Sequence, residues 1–462
     1  TETADGVNNS WTYGLTGGVL TEKNANAEKT FTYNAYGLPS TESTKIGSDT
    51  FKISRDYDTR GNNNFSTYSK NNAVYQKIKY SYDNKNRLAG VYDINISTGS
   101  LTMKAQYGYD ANDNNNIIHY GNGGATITTY NAANLVTRLY NSIGNKIYND
   151  YKYTYKLDGN VSSKTELING DNNATSYVYD TAGRLKSETV TGYDNFSIDY
   201  TYDNAGNRTE LNYTNEEYYS TNYKENYTYD KNNRLVSSVR NLGSKTGYTD
   251  YTYDKNGNQI KVEKYTEDNA DVFKLNILDS VTEKNNGVER FKYNGLNQLT
   301  DYENTNGKYN GKVGLTADYK YMANGYRLSK SVNGIETKYL WDKDNIDSEL
   351  NSENVIMQKY YRGYQLISDD SNRYYMHNAH GDVVEIFEGT SEENVYYYNA
   401  FGGTKHFENT EIPGKWGYCD QLRDFETGNY YMRARYYNPA SGRFISEDPI
   451  KDGSNWYAYC AG

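Results

Sequence analysis

"YTYDKNNRLVSSVRNLGSKTGYTDYTYDKNGNQIKVEKYT", residues 227–266, states one phrase twice. Tyr229-Asp230 and Tyr253-Asp254 stand 24 residues apart (253 − 229), and each tyrosine follows another two residues earlier. A spacing of two places both rings on one face of a strand. The aspartate, and the Asn233 or Gly257 three residues on, are turn formers. An Asp side chain caps backbone N–H groups, and Asn or Gly accepts a positive φ. After the turn, Arg234-Leu235 opens a second alternating run. Each phrase therefore reads as strand, tight turn, strand.

The phrase recurs over most of the chain. Its key tyrosines are 33, 57, 82, 109, 130, 155, 179, 202, 229, 253, 293 and 321. Tyr82-Asp83, Tyr179-Asp180 and Tyr202-Asp203 keep both letters of the phrase. The steps run from 21 to 28 residues, except for 40 between Tyr253 and Tyr293, read as two short units with a degraded phrase between them. A lone hairpin is marginal, whereas hairpins of near-constant length stack into one sheet in which each unit touches its neighbours. Helix signals are almost absent. The expected fold is all-β: one long antiparallel sheet of hairpin repeats. A twisted sheet with this many strands must curl, which leaves an inside and an outside.

Composition fits a thin wall. The 462 residues include 55 tyrosines but 11 phenylalanines, and aromatics make up 15%. A mean hydropathy of −0.98 resembles that of disordered chains, which, however, are poor in aromatics. Tyrosine rings must carry most of the apolar surface, and each brings an O–H that needs a partner or water. Their regular spacing marks them as scaffold rather than as a platform for sugars or bases. The net charge of −10 and the lack of any Lys/Arg run argue against nucleic-acid binding by the whole surface. No apolar stretch is long enough for a membrane span. The opening TETADGVNNSWTYG lacks the charged and apolar regions of a signal peptide. Cys419 and Cys460 could pair, but two cysteines do not make a disulfide framework.

The last fifty residues differ. Pro413, Pro439 and Pro449 fall there, three of the chain's four prolines. Proline is excluded from central strands, so the regular sheet is expected to end near residue 410. Tyr430, Tyr431, Tyr436, Tyr437, Phe444 and Ile445 supply bulk. Arg433, Arg435 and Arg443 can pair with Asp424, Glu426, Glu447 and Asp448, giving a charge-paired plug. His377 and His380 have HxxH spacing, but on a strand they face opposite ways, so no metal is expected. Cys460 has no histidine close in sequence. No cofactor or nucleotide-binding motif is present, and no cofactor is expected.

These phrases resemble the tyrosine–aspartate repeat of Rhs and YD-repeat proteins, which include bacterial polymorphic toxins, the C component of Tc toxins and, more distantly, teneurins. "RYYMHNAHGDVVEIFE" (373–388), "YYYNAFGG" (396–403) and "QLRDFETGNYYMRARYYNPASGRFISEDPI" (421–450) are similar to the Rhs repeat-associated core. The resemblance implies a YD-repeat shell over 1–372 and a core over 373–462 that closes it as a plug. It implies a bacterial protein, secreted or at the cell surface. The shell would enclose its own C-terminal cargo, a toxin domain, and work with a cognate delivery or capping partner. It also implies single-turnover aspartyl self-cleavage after the core. Asp448, in Asp448-Pro449, is then the first catalytic candidate and Asp424 its partner, with Arg423 and Arg443 orienting the carboxylates. Here the motif reads DPIKDG rather than DPxGL, and the second Asp-Pro-x-Gly-Leu is not reached by residue 462. The alternative is a teneurin-like extracellular module that binds glycans or proteins by its outer surface.

Overall fold

In the computed structural model, residues 1–4, 6–215, 217, 221–243, 245–266, 287–309, 312–405 and 415–459 are described. Among them there is no α-helix. One antiparallel sheet of 34 strands runs from Glu2–Ala4 to Ser391–Val395. Each strand pairs with the next in sequence, so the sheet is a continuous meander.

Every YD phrase builds the same turn, for reasons visible at Asp230. Its Oδ1 accepts the N–H groups of Asn232 (2.9 Å) and Arg234 (3.0 Å), and its Oδ2 accepts Arg234 Nε (2.6 Å). Asn233 takes the positive φ, 61°. Register shifts by one residue just before the key tyrosine, between Thr228 and Tyr229. Asp83, Asp180, Asp203 and Asp254 cap their turns in the same way. The capping bonds and the neighbouring arginine lower the Asp83 carboxyl below its ordinary value.

The key tyrosines join one unit to the next. Tyr229 O–H donates to Arg208 O (2.8 Å), Tyr202 to Leu185 O (2.7 Å), Tyr179 to Val161 O (2.9 Å) and Tyr82 to Asn63 O (3.1 Å). Each acceptor lies in the strand returning from the preceding turn. Phenylalanine could fill the ring's place but could not make this bond, which accounts for the heavy use of tyrosine.

The sheet coils on itself. Arg55 pairs with Asp342, and Tyr68 O–H donates to Asp342 Oδ2 (2.8 Å). Further on, Asn141 Nδ2 reaches His377 O (3.1 Å) and Asn169 Nδ2 reaches Glu392 Oε1 (2.8 Å). The sequence separation across these contacts falls from 287 to 236 to 223 residues. A shrinking separation means that each winding is shorter than the one it lies against, so the chain spirals inward. Burial agrees. Strand Asp49–Tyr57 alternates between buried and partly exposed, as a wall with one wet face should. Ile346–Leu350, Leu366–Asp369 and Val383–Phe387 are buried without a break, as strands covered on both faces must be.

Two expectations are modified. The ladder ends at Val395 rather than near residue 410, followed by a two-residue pair (Tyr397–Tyr398 with Thr404–Lys405); Pro413 lies outside the described residues. At the 40-residue step, Gln259–Thr266 pairs directly with Gly287–Tyr293, with Lys261 opposite Arg290. The extra length therefore adds no strands to the ladder between these two, and residues 267–286 lie outside the described set. The ladder also runs unbroken through residue 372, since Leu366–Asp369 pairs with Arg373–His377.

Candidate functional site

Past the sheet, residues 415–459 form a separate four-stranded patch: Leu422–Arg423, Tyr430–Met432, Arg435–Asn438 and Arg443–Phe444. The patch lies across several strands of the sheet. Ile445 O accepts Gln259 N–H (3.0 Å), Gly417 O accepts Val383 N–H (3.1 Å), and Ala440 O accepts Arg208 Nη2 (3.0 Å). Tyr457 O–H donates to Gly257 O (2.7 Å).

Asp424 is the centre of a fully buried contact between the patch and the wall. It is fully buried and holds Arg327, also fully buried, through both carboxylate oxygens. Lys330 Nζ bonds Asp424 Oδ1 (2.9 Å) and Glu426 Oε2 (3.0 Å). Tyr319 O–H donates to Glu426 Oε1 (2.9 Å), and Tyr436 O–H lies 3.2 Å from Arg327 Nη1. Two cations thus face two carboxylates in a buried site. Burial alone would raise the Asp424 carboxyl; Arg327 and Lys330 outweigh it and hold the group below the usual carboxylate range.

Asp448 has a different setting. Its side chain is 20% exposed, and Arg435 Nη2 lies 3.4 Å from Oδ2. Oδ1 caps the N–H of Ile450 (2.9 Å), and the backbone N–H donates to Trp456 O (3.0 Å). Asp448 and Asp424 are held by separate cations, and no hydrogen bond joins them among the described residues. Arg443 touches neither. Its guanidinium lies 4.9 Å from the Tyr229 ring centre and 5.1 Å from that of Tyr457, and it donates to Asn233 O. Arg423 sits in the ladder opposite Tyr430, with its N–H on Lys415 O (2.8 Å).

Further charged and polar groups surround these. Arg327 and Lys330 belong to the repeat wall, and nothing local singles them out. Arg362 pairs with Asp420 (2.7 Å), and Lys415 pairs with buried Glu349. His380 meets Asp382 (2.9 Å) and Cys419 (3.7 Å). Those two partners raise the imidazole to about 10. His377 is buried away from this group, with Nε2 at 3.7 Å from Asp420. Cys460 lies outside the described residues.

The teneurin YD-shell family model matches residues 3–219. The tRNA nuclease WapA of Bacillus subtilis is 30% identical over 374 residues, covering 74% of this chain and 15% of that protein. The crystal structure of TcdB2–TccC3 superposes over 98% of this chain and 25% of its own, with a TM-score of 0.68 at 17% identity. The chain is an Rhs-type YD-shell protein. Toxin subunit YenC1 of Yersinia entomophaga shares 25% identity with this shell over 364 residues, 68% of the chain and 36% of that protein. The shell spans between about a seventh and about a third of these relatives' lengths.

Proposed function

We propose that this shell is a container that encloses and protects a C-terminal toxin domain of the polypeptide carrying it, on a secreted or surface-delivered bacterial protein. The observation that carries the proposal is the inward spiral. The windings tighten along the chain, and residues 415–459 then bind across them through a buried four-charge site. The relatives support a toxic cargo: WapA is named a tRNA nuclease and YenC1 a toxin subunit. A delivery or capping partner fits the same reading.

The plug's second role is self-cleavage. Asp448 is partly exposed, with Arg435 Nη2 at 3.4 Å from Oδ2 and the Ile450 N–H on Oδ1, and in this reading its carboxylate takes a proton from water. A second carboxylate must protonate the leaving amine. Asp424 is committed to Arg327 and Lys330, and its part is to hold the plug in register. Arg443 and Arg423 fix the surrounding backbone. The test is expression of a longer natural polypeptide with Asp448→Asn, with Asp452→Asn as control. Loss of the released fragment in the first alone supports the role. Equal processing in both removes Asp448 from the chemistry.

A further inference from the structure

The last winding and the plug meet at a cluster that the container reading does not use. His380 and Asp382 lie in the turn between strands Arg373–His377 and Val383–Glu388, and Cys419 lies in the 3₁₀ turn Tyr418–Asp420. Each of the three offers one donor atom (a ring nitrogen, a carboxylate oxygen and a thiol sulfur), and these atoms all lie within 4.8 Å of one another. They come from segments 39 residues apart, so the cluster is tertiary. We propose that these three side chains form a binding site for a zinc-class divalent cation, with an open fourth position.

The geometry can be checked against the ion. Tetrahedral zinc with a sulfur at 2.3 Å and a nitrogen near 2.05 Å sets those two atoms about 3.6 Å apart. Cys419 Sγ and His380 Nδ1 stand at 3.7 Å. A nitrogen and a carboxylate oxygen around zinc stand about 3.4 Å apart. His380 Nδ1 and Asp382 Oδ1 stand at 2.9 Å. That pair must open by about 0.5 Å, which a metal replacing their shared proton would bring about. The mixed S, N, O donor set suits zinc and its neighbours, not magnesium or calcium.

The surroundings orient the ligands. Asn378 Nδ2 holds Asp382 Oδ2 (2.9 Å), and Asn378 Oδ1 accepts the N–H groups of His380 (2.9 Å) and Asp382 (3.1 Å). The Cys419 N–H donates to Asp382 Oδ1 (2.8 Å). Such outer contacts are what fix ligand geometry at metal sites. Cys419 and Asp420 both take left-handed φ, 52° and 54°, which non-glycine residues adopt at a cost. That conformation aims Sγ at the histidine. Tyr459 O–H lies 3.2 Å from Sγ. On binding, the thiol loses its proton and Nδ1 loses the one it shares with Asp382. Nε2 stays protonated on the exposed side of the ring. The bound ion would tie the plug to the last winding.

The experiment uses the 462-residue chain carrying Cys460→Ser, so that Cys419 is the only thiol. Zinc retained through gel filtration is counted by mass spectrometry, and cobalt(II) is read by absorbance. The expected result is one zinc per chain and a thiolate-to-cobalt charge-transfer band. Cys419→Ser should abolish the band and the retained zinc, and His380→Gln should weaken zinc at least tenfold, with circular dichroism unchanged in both. Bound zinc should also slow alkylation of Cys419 by iodoacetamide. A folded chain that retains no zinc, or Cys419→Ser that retains as much as the parent, overturns the proposal. So does alkylation at one rate with and without zinc, which would leave a Cys–His thiol pair and no metal site.

Discussion

Replacing Asp424 with asparagine should loosen the plug from the wall. In the folded chain Arg327 and Lys330 face Asp424 and Glu426, two charges against two. Asp424→Asn leaves an excess positive charge beside a fully buried guanidinium. Breaking a buried pair from one side costs about 3–5 kcal/mol. At about 1.4 kcal/mol per factor of ten, local opening of residues 415–459 should rise about a hundredfold to a few thousandfold. Hydrogen exchange followed by mass spectrometry reads this directly, because peptides from Leu422 to Ile445 report plug opening and peptides near Tyr82 serve as an internal control. The double variant Arg327→Met, Asp424→Leu removes both charges and should recover most of the loss. The Asp424 carboxyl is held below its ordinary range, so the charge pair contributes fully above that range. The contribution is lost as pH falls through the lowered value, and the gap between variant and parent should close in strong acid. A change in plug protection below fivefold at neutral pH would mean that the Asp424 pair does not hold the plug to the wall.

Other predictions concern the wall. Asp347 is fully buried beside Asp342, and burial first, then that neighbour, pushes its carboxyl up to about 7 from 3.8. A raised carboxyl favours the folded state at low pH and loses that stabilisation as pH climbs through the folded value. Asp347→Asn should therefore stabilise the shell at pH 8, by up to ~4 kcal/mol, and leave it unchanged near pH 3, as measured by thermal melts at both. Tyr202→Phe and Tyr229→Phe each delete one hydroxyl bond to the preceding unit and should each cost about 1 kcal/mol in urea unfolding. A null effect at both sites would deny the hydroxyl its part in joining units.

Much of the wall was legible in the sequence because its causes are local. Tyr229, Asp230, Asn233 and Arg234 act within one turn, and the period of two sorts their faces. The alternation fails where the chain winds inside itself, at Ile346–Leu350 and Val383–Phe387, since both faces are covered there. The candidate site was legible only in part. Asp424 stands out in its motif, but its partner Arg327 lies 97 residues upstream in an ordinary repeat. The strand rule applied to His377 and His380 does not reach His380, which lies in the turn past the strand end at His377. Its contact with Cys419 arises from plug docking, a tertiary event with no local signal.

Enclosure of a C-terminal domain is read out by protease protection of a longer natural polypeptide. The C-terminal domain should co-purify with the shell, survive proteinase K, and become digestible only when the shell is unfolded or Asp424→Asn loosens the plug. Digestion of that domain at the rate of the isolated domain, with the shell intact, would contradict enclosure.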